Sequence, residues 1–216
     1  MANEKKFNKA IFHGIVVSMK GENNNGSMTL ACPLIVRTRH SGKLETSVRE
    51  TYPTLSFNKN TTTKDILANF AVGDRVVVEG NIHSYIRMDE NTGDTREIMN
   101  VYIETIEHDT SCMEQVFGTK GRNYPEAENK VFLTGELAGI SKRTGTTLNL
   151  RLDMSENGKR NMVDAVYYNA PATLANNLSI GDMVNVYARV QTVDTKEHPR
   201  IRNYQSVVIL DASKAQ

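Results

Sequence analysis

No run of apolar residues in this sequence is long enough to cross a bilayer, which argues against a transmembrane helix. The opening stretch MANEKKFNKA lacks the apolar core of a secretory signal, so a cytoplasmic location is the expectation. Cysteine is scarce: Cys32 and Cys112 lie far apart, with neither a Cys-x-x-Cys spacing nor a histidine neighbour. That argues against a cysteine-built metal site, and a disulfide would be out of place in a reducing compartment. Cys32 is expected to act as a small core hydrophobe and Cys112 as a linker residue. An excess of one charge is missing too, since 26 Lys and Arg face 25 Asp and Glu, and the overall field names no polyanionic partner. Only the distribution leans: residues 1–110 carry 13 basic against 14 acidic side chains, and residues 129–216 carry 11 against 8.

Catalytic signatures are absent as well. The chain has no Walker loop, Gly-x-Ser-x-Gly elbow, His-Glu-x-x-His or zinc-ligand spacing. His13 and His83 fall in strand-like segments and His40, His108 and His198 near loops, none with a nucleophile as partner. Asp89, Glu90 and Asp94 have ordinary hairpin-turn composition rather than that of a metal loop. The expectation is a protein that is not an enzyme, with no catalytic residue, no metal and no cofactor.

What is present is a pattern of short apolar runs separated by Gly, Asn, Asp and Thr clusters, the mark of β structure. The pattern occurs twice. In the first half KAIFHGIVVSM is followed by MTLACPLIVRTRH and ETSVRETYPTLSF, then by the helix-like TKDILANF and Val72-Gly73-Asp74. RVVVEGNIHSYIRM, a polar turn and REIMNVYIETIE complete it. In the second half KVFLTGELAGISKR, TTLNLRLDM and RNMVDAVYY precede the helix-like PATLANNL and Ile180-Gly181-Asp182. MVNVYARVQTVD, a loop and IRNYQSVVILDA close it. β-Branched residues dominate RVVVEG and MVNVYARV, as suits a pleated, half-buried surface. Pro171 fits the first turn of a helix, and Gly73 and Gly181 fit helix C-termini that need positive φ. Gly14, Gly135 and Gly139 suit bulges or tight bends within strands.

Five strands with a helix between the third and fourth is the layout of an OB barrel. The expected fold is therefore all-β: two tandem five-stranded OB-fold barrels, each with a short helix between strands 3 and 4. The expected boundaries are 1–109 for the first domain, 110–129 for a linker and 130–216 for the second domain. The stretch 110–129 lacks sustained periodicity; Val116, Phe117 and Tyr124 are candidates for partial packing, and a helix or an extra strand there is the competing reading.

VGDRVVVEGNIHSYIRMDENTGDTREIMNVYIETIE resembles the C-terminal half of the OB-folds of bacterial single-stranded DNA-binding proteins. There a Gly-Asp/Lys-x-Val-x-Val-x-Gly strand leads through an Asp-x-x-Gly-x-x-Arg turn to the last strand. KAIFHGIVVSM, MTLACPLIV and ETYPTLSF resemble that family's first three strands, and the second half is similar without the Asp-x-x-Gly-x-x-Arg turn. The likeness spans most of residues 7–107 and, more loosely, 130–211. This chain departs from the pattern in having no tryptophan and no acidic tail, since it ends ILDASKAQ. The resemblance implies sequence-tolerant binding of single-stranded DNA in replication, recombination, repair or DNA transfer. It also implies replication or recombination proteins as further partners, with a homodimer as one arrangement. The alternative is a barrel used for protein interaction and assembly in a replication or mobile-element complex, which the low net charge and missing tryptophan favour.

Such binding needs cations along the phosphates and flat groups on which bases stack. In the first half, Arg37, Arg39, Arg49 and Tyr52 on the second and third strands, with Tyr85, Arg87 and Arg96 on the last hairpin, are the candidates. Tyr85 and Arg87 share a strand face by the period-2 rule. In the second half the candidates are Lys142, Arg143, Arg151, Arg160, Tyr168, Arg200, Arg202 and Tyr204, the last three alternating onto one face. Tyr167 and Tyr168 should point to opposite faces. Phe12 and Phe57 are expected in the core.

Overall fold

The computed structural model describes residues 5–40, 43–62, 64–88, 90, 92–110, 116–117, 123–124, 129–143, 145–193 and 204–215. For residues 35–40, 43–44, 96, 116–117, 123–124, 193 and 204 the description covers the backbone alone. The first half contains β1 (Phe7–Glu22), β2 (Asn25–His40), β3 (Lys43–Thr51), β4 (Thr54–Phe57), α1 (Ile66–Asn69), β5 (Arg75–Met88) and β6 (Thr95–His108). Two short strands follow, β7 (Val116–Phe117) and β8 (Asn123–Tyr124). The second half contains β9 (Asn129–Lys142), β10 (Leu148–Asp153), β11 (Met162–Tyr167), α2 (Ala172–Asn177), β12 (Met183–Val193) and β13 (Tyr204–Lys214).

Strand β1 pairs with β5 and β2, β5 with β6, β6 with β4 in parallel, and β4 with β2, a closed five-stranded barrel. The second half repeats the order of pairings: β9 with β12 and β10, β12 with β13, β13 with β11 in parallel, β11 with β10. Alternation drives the closure, because every second residue of β1 (Ala10, Phe12, Gly14, Val16) is buried while its neighbours stay part-exposed. Phe12 and Phe57 are buried as the sequence led one to expect, and so is Cys32, whose thiol is pushed well above its ordinary pKa by burial.

The first half has one strand more than expected. ETSVRETYPTLSF breaks at Tyr52 and Pro53, where proline has no N–H to give to a ladder. Its first part, β3, pairs with the outer half of β2 from Cys32↔Thr51 to His40↔Lys43. The inner half of β2 pairs with β1 and β4, so β2 and β3 extend beyond the barrel as a two-stranded arm. In the stretch expected to be a linker, Val116↔Tyr124 and Phe117↔Asn123 form a short antiparallel pair, the extra-strand alternative. The side chains of Val116, Phe117 and Tyr124 lie outside the described residues.

The Gly-Asp turns solve the same problem in both halves. Gly73 has φ +102° and Gly181 φ +93°, but the helices end earlier, at Phe70 and Leu178, so the glycines belong to the turns into β5 and β12 rather than to helix caps. That left-handed backbone is accessible to glycine at little cost. The turn aims the Gly73 N–H at the Val16 carbonyl (2.8 Å) and the Gly181 N–H at the Leu137 carbonyl (2.9 Å). Asp74 Oδ2 then accepts from the Ala71 N–H and Asp182 Oδ2 from the Ser179 N–H, each at 2.8 Å. At Gly14 the requirement is close approach: a Cβ there would sit 2.8 Å from the Ala31 carbonyl oxygen. The bulges themselves fall just beyond, between Val16 and Ser18 in β1 and between Leu137 and Gly139 in β9.

The two halves join through β1 and β9, which pair antiparallel from Phe7↔Thr134 to Phe12↔Asn129 and carry eleven strands into one continuous sheet. Asn8 forks onto Ile82, donating to its carbonyl at 2.7 Å and accepting from its N–H at 2.9 Å. Asn129 does the same to Val190, at the same two distances. On one flank the Ser84 N–H donates to Asn161 Oδ1 (2.9 Å) and the Met162 N–H to Ser84 Oγ (2.7 Å). On the other, the Thr192 N–H donates to Thr51 Oγ1 and the Tyr52 N–H to Thr192 Oγ1, both at 2.9 Å. Thr51, Ser84 and Asn161 are buried, and these bonds satisfy polar groups that would otherwise be costly to bury.

Candidate nucleic-acid interface

Strands β5 and β6 run on past the barrel as a second arm, paired antiparallel from Val76↔His108 to Met88↔Thr95 with a register shift between Glu79 and Gly80. Its two faces differ. Ser84, Ile86 and Met88, with Glu97 across from Ile86, point along the side that meets the second half. His83, Tyr85 and Arg87 occupy the other side, as the alternation required. Tyr85 is 42% exposed, Ile86 56% and Met88 62%, so the arm presents an aromatic ring and two apolar side chains to solvent. Arg87 is exposed beside them, and Arg96 stands opposite it in the ladder, its side chain outside the described residues. His83 packs edge-on to Tyr102 at 5.8 Å. Its pKa is held below the ordinary histidine value, chiefly by burial, with Glu104 opposing and Lys159 adding to the shift.

The other candidates scatter. Arg49 is exposed on β3, whereas Arg37 and Arg39 lie on the β2 arm with side chains outside the described residues. Tyr52 sits at the seam between the halves, its hydroxyl donating to Glu50 Oε2 at 2.6 Å. Lys142 and Arg143 are exposed at the end of β9. Tyr168 is 53% exposed while Tyr167 is 8% exposed, the division that their adjacency predicts. Arg200 and Arg202 fall outside the described residues, and of Tyr204 only the backbone, the first residue of β13, is described.

Arg151 and Arg160 are not open cations but partners of a carboxylate from the other half. Arg151 Nη2 donates to Glu97 Oε2, and Arg160 Nη2 to Glu97 Oε1 at 3.2 Å. Arg151 also reaches Asp164 Oδ2 at 3.2 Å. Partial burial raises the Asp164 carboxyl above its ordinary value, Arg151 working against the shift and Glu97 with it.

Sequence reasoning passed over Glu97, Ser84 and Asn161 because nothing local announces contacts across 54 to 79 residues. The paired asparagines were findable, since NKAIF (8–12) and NKVFL (129–133) repeat the same opening at equivalent places. An open groove of about 550 Å³ on the outer face of the joined sheet was also missed. Phe7, Phe132 and Tyr187 line it, the last two stacked with centroids 5.2 Å apart, and Phe7 is 50% exposed. Among the described residues no cluster of three His, Cys, Asp or Glu side chains could hold a metal ion, and no helix is long and apolar enough to cross a membrane.

These features define an all-β chain of the OB class, with a closed five-stranded barrel, a repeat of its pairings and two projecting arms. The chain has the fold of the single-stranded DNA binding protein from Thermus aquaticus. Its wild-type crystal structure aligns with a TM-score of 0.63 at 18% identity, covering 98% of this chain and 94% of that one. A deletion mutant of the same protein aligns with a TM-score of 0.63 at 17% identity, covering 98% and 96%. At that identity the likeness is one of fold. No protein-family model matches the chain, and no curated protein matches it in sequence.

Proposed function

We propose that the protein binds single-stranded DNA with little sequence preference, protecting or organising it in replication, recombination or transfer. The observation that carries this reading is the β5–β6 arm, where Tyr85 and Arg87 stand exposed on one face of a fold shared with a single-stranded DNA binding protein. An unpaired base stacks on a phenol ring whatever its identity, for about 1–3 kcal/mol per base. A guanidinium two residues along the strand reaches the adjoining phosphate and forks onto its oxygens. Arg49 on β3, and Lys142, Arg143 and Tyr168 in the second half, extend the path. The reading takes residues 1–109 and 130–216 as the two OB domains and 110–129 as the connection, and it involves no reaction and no cofactor.

A homodimer is part of this proposal. The groove lined by Phe7, Phe132 and Tyr187 straddles the junction of β1 and β9, and exposed aromatic surface there favours a second copy. Fluorescence anisotropy with labelled oligo-dT tests the central claim. Binding that weakens with salt and falls in Tyr85→Ala and Arg87→Ala is expected, because phosphate contacts release counterions. Absence of binding at low salt, with a partner protein captured instead, would select the assembly-module alternative.

A further inference from the structure

Glu97 divides its two carboxylate oxygens between two arginines of the other half. Oε2 accepts from Arg151 and Oε1 from Arg160 at 3.2 Å, while the Ser84 hydroxyl braces Oε1 at 3.3 Å. The Glu97 side chain is 20% exposed, whereas those of Arg151 and Arg160 are 35% and 54% exposed, so solvent and solutes reach the arginines. Asp164, 63% exposed, takes a further Arg151 nitrogen. Two guanidiniums and two carboxylates sum to zero, and a phosphate arriving from solvent meets no net attraction at this cluster. A carboxylate bridging two guanidiniums also fills the forked arrangement in which a phosphate would be held.

We infer that Glu97 is a resident competitor for phosphate: it holds Arg151 and Arg160 in the free protein and is displaced, or limits affinity, when a nucleic-acid backbone reaches the second half. This rests on the DNA-binding reading above and adds to it a residue that sets the strength and salt dependence of binding. The rival is a strut, in which Glu97 only pins the β5–β6 arm to β10. The two differ in sign. Removing a strut loosens the arm and weakens binding; removing a competitor frees two cations and strengthens it.

The test measures anisotropy of labelled oligo-dT across a salt series for the wild type, Glu97→Gln, and Glu97→Gln combined with Arg151→Ala and Arg160→Ala. Glutamine keeps the shape and an acceptor while removing the charge. Glu97→Gln should bind about three- to fivefold more tightly at low salt, the range a partly exposed ion pair supports. The slope of log affinity against log salt should steepen by about one unit, as one more phosphate contact requires. The gain should vanish where both arginines are gone. Wild-type binding with no gain in Glu97→Gln, or a gain that persists without the arginines, overturns this inference and leaves the DNA reading standing. No binding by any of the proteins overturns both. Asp164→Asn supplies a second variant at an exposed position, should Glu97→Gln unfold, and a smaller gain in the same direction is expected of it.

Discussion

The two halves agree where the backbone has no alternative and part company where a ligand would touch them. Both turn into their fourth barrel strand through a glycine at positive φ followed by an aspartate that caps the turn. Both use one asparagine to fork onto a neighbouring strand, and both meet the other half through a side-chain oxygen that takes a main-chain N–H. Their surfaces differ. The first half carries the β2–β3 arm and the β5–β6 arm with its exposed Tyr85, Ile86 and Met88. The second joins β10 to β11 through a tight Glu156–Lys159 turn, and its arginines on that side are held by Glu97. The frame is therefore common to both halves and the flanks differ, and under the proposed DNA binding the first half is the expected stronger binder.

Breaking the frame should cost most. Asn161→Leu strands the Ser84 N–H in a buried seam, while the Ile82 carbonyl keeps its bond from Asn8, and should cost about 1–3 kcal/mol in chemical denaturation, the range for one unsatisfied buried group. Thr51→Val, on the opposite flank, should destabilise in the same direction. Gly73→Val and Gly181→Val force a branched side chain into left-handed backbone and should cost about 1–3 kcal/mol each. The comparison predicts nearly equal losses for that pair, and a large disparity in melting temperature would break the claimed equivalence.

On the surface the halves should separate. Tyr85→Ala should weaken oligo-dT binding by about 1–2 kcal/mol, within the range for a stacked base. Tyr168→Ala should weaken it less, and the reverse order in a titration would make the second half the dominant site. The smallest effect concerns acidity. Because His83 has a folded-state pKa below its ordinary 6.5, the unfolded chain takes up the proton first as pH falls. Stability is then unaffected well above that value and declines below it, and His83→Gln should flatten this part of a stability-versus-pH profile.

Much of the frame was legible because its causes are local. The alternation in KAIFHGIVV, the Gly-Asp turns and the twofold order of elements each follow from neighbours in sequence. The split at Pro53 was written in the chain as well, but the strand-favouring Thr, Val, Tyr and Phe residues on either side of it read as a single strand. The site was less legible. Tyr85 and Arg87 follow from strand parity, and Tyr168 from its adjacency to Tyr167. Arg151 and Arg160 looked like free cations, because their partner Glu97 is brought to them only by pairing β1 with β9 and laying the β5–β6 arm against β10.

That β1–β9 ladder has a directional consequence. Ala10 faces Val131, its own counterpart in the repeat, so β1 and β9 run antiparallel about a local twofold axis. If the proposed DNA binding uses equivalent surfaces of both halves, a strand lying across that axis would meet them in opposite 5′-to-3′ sense and would have to reverse its course between them, like a thread carried round a post.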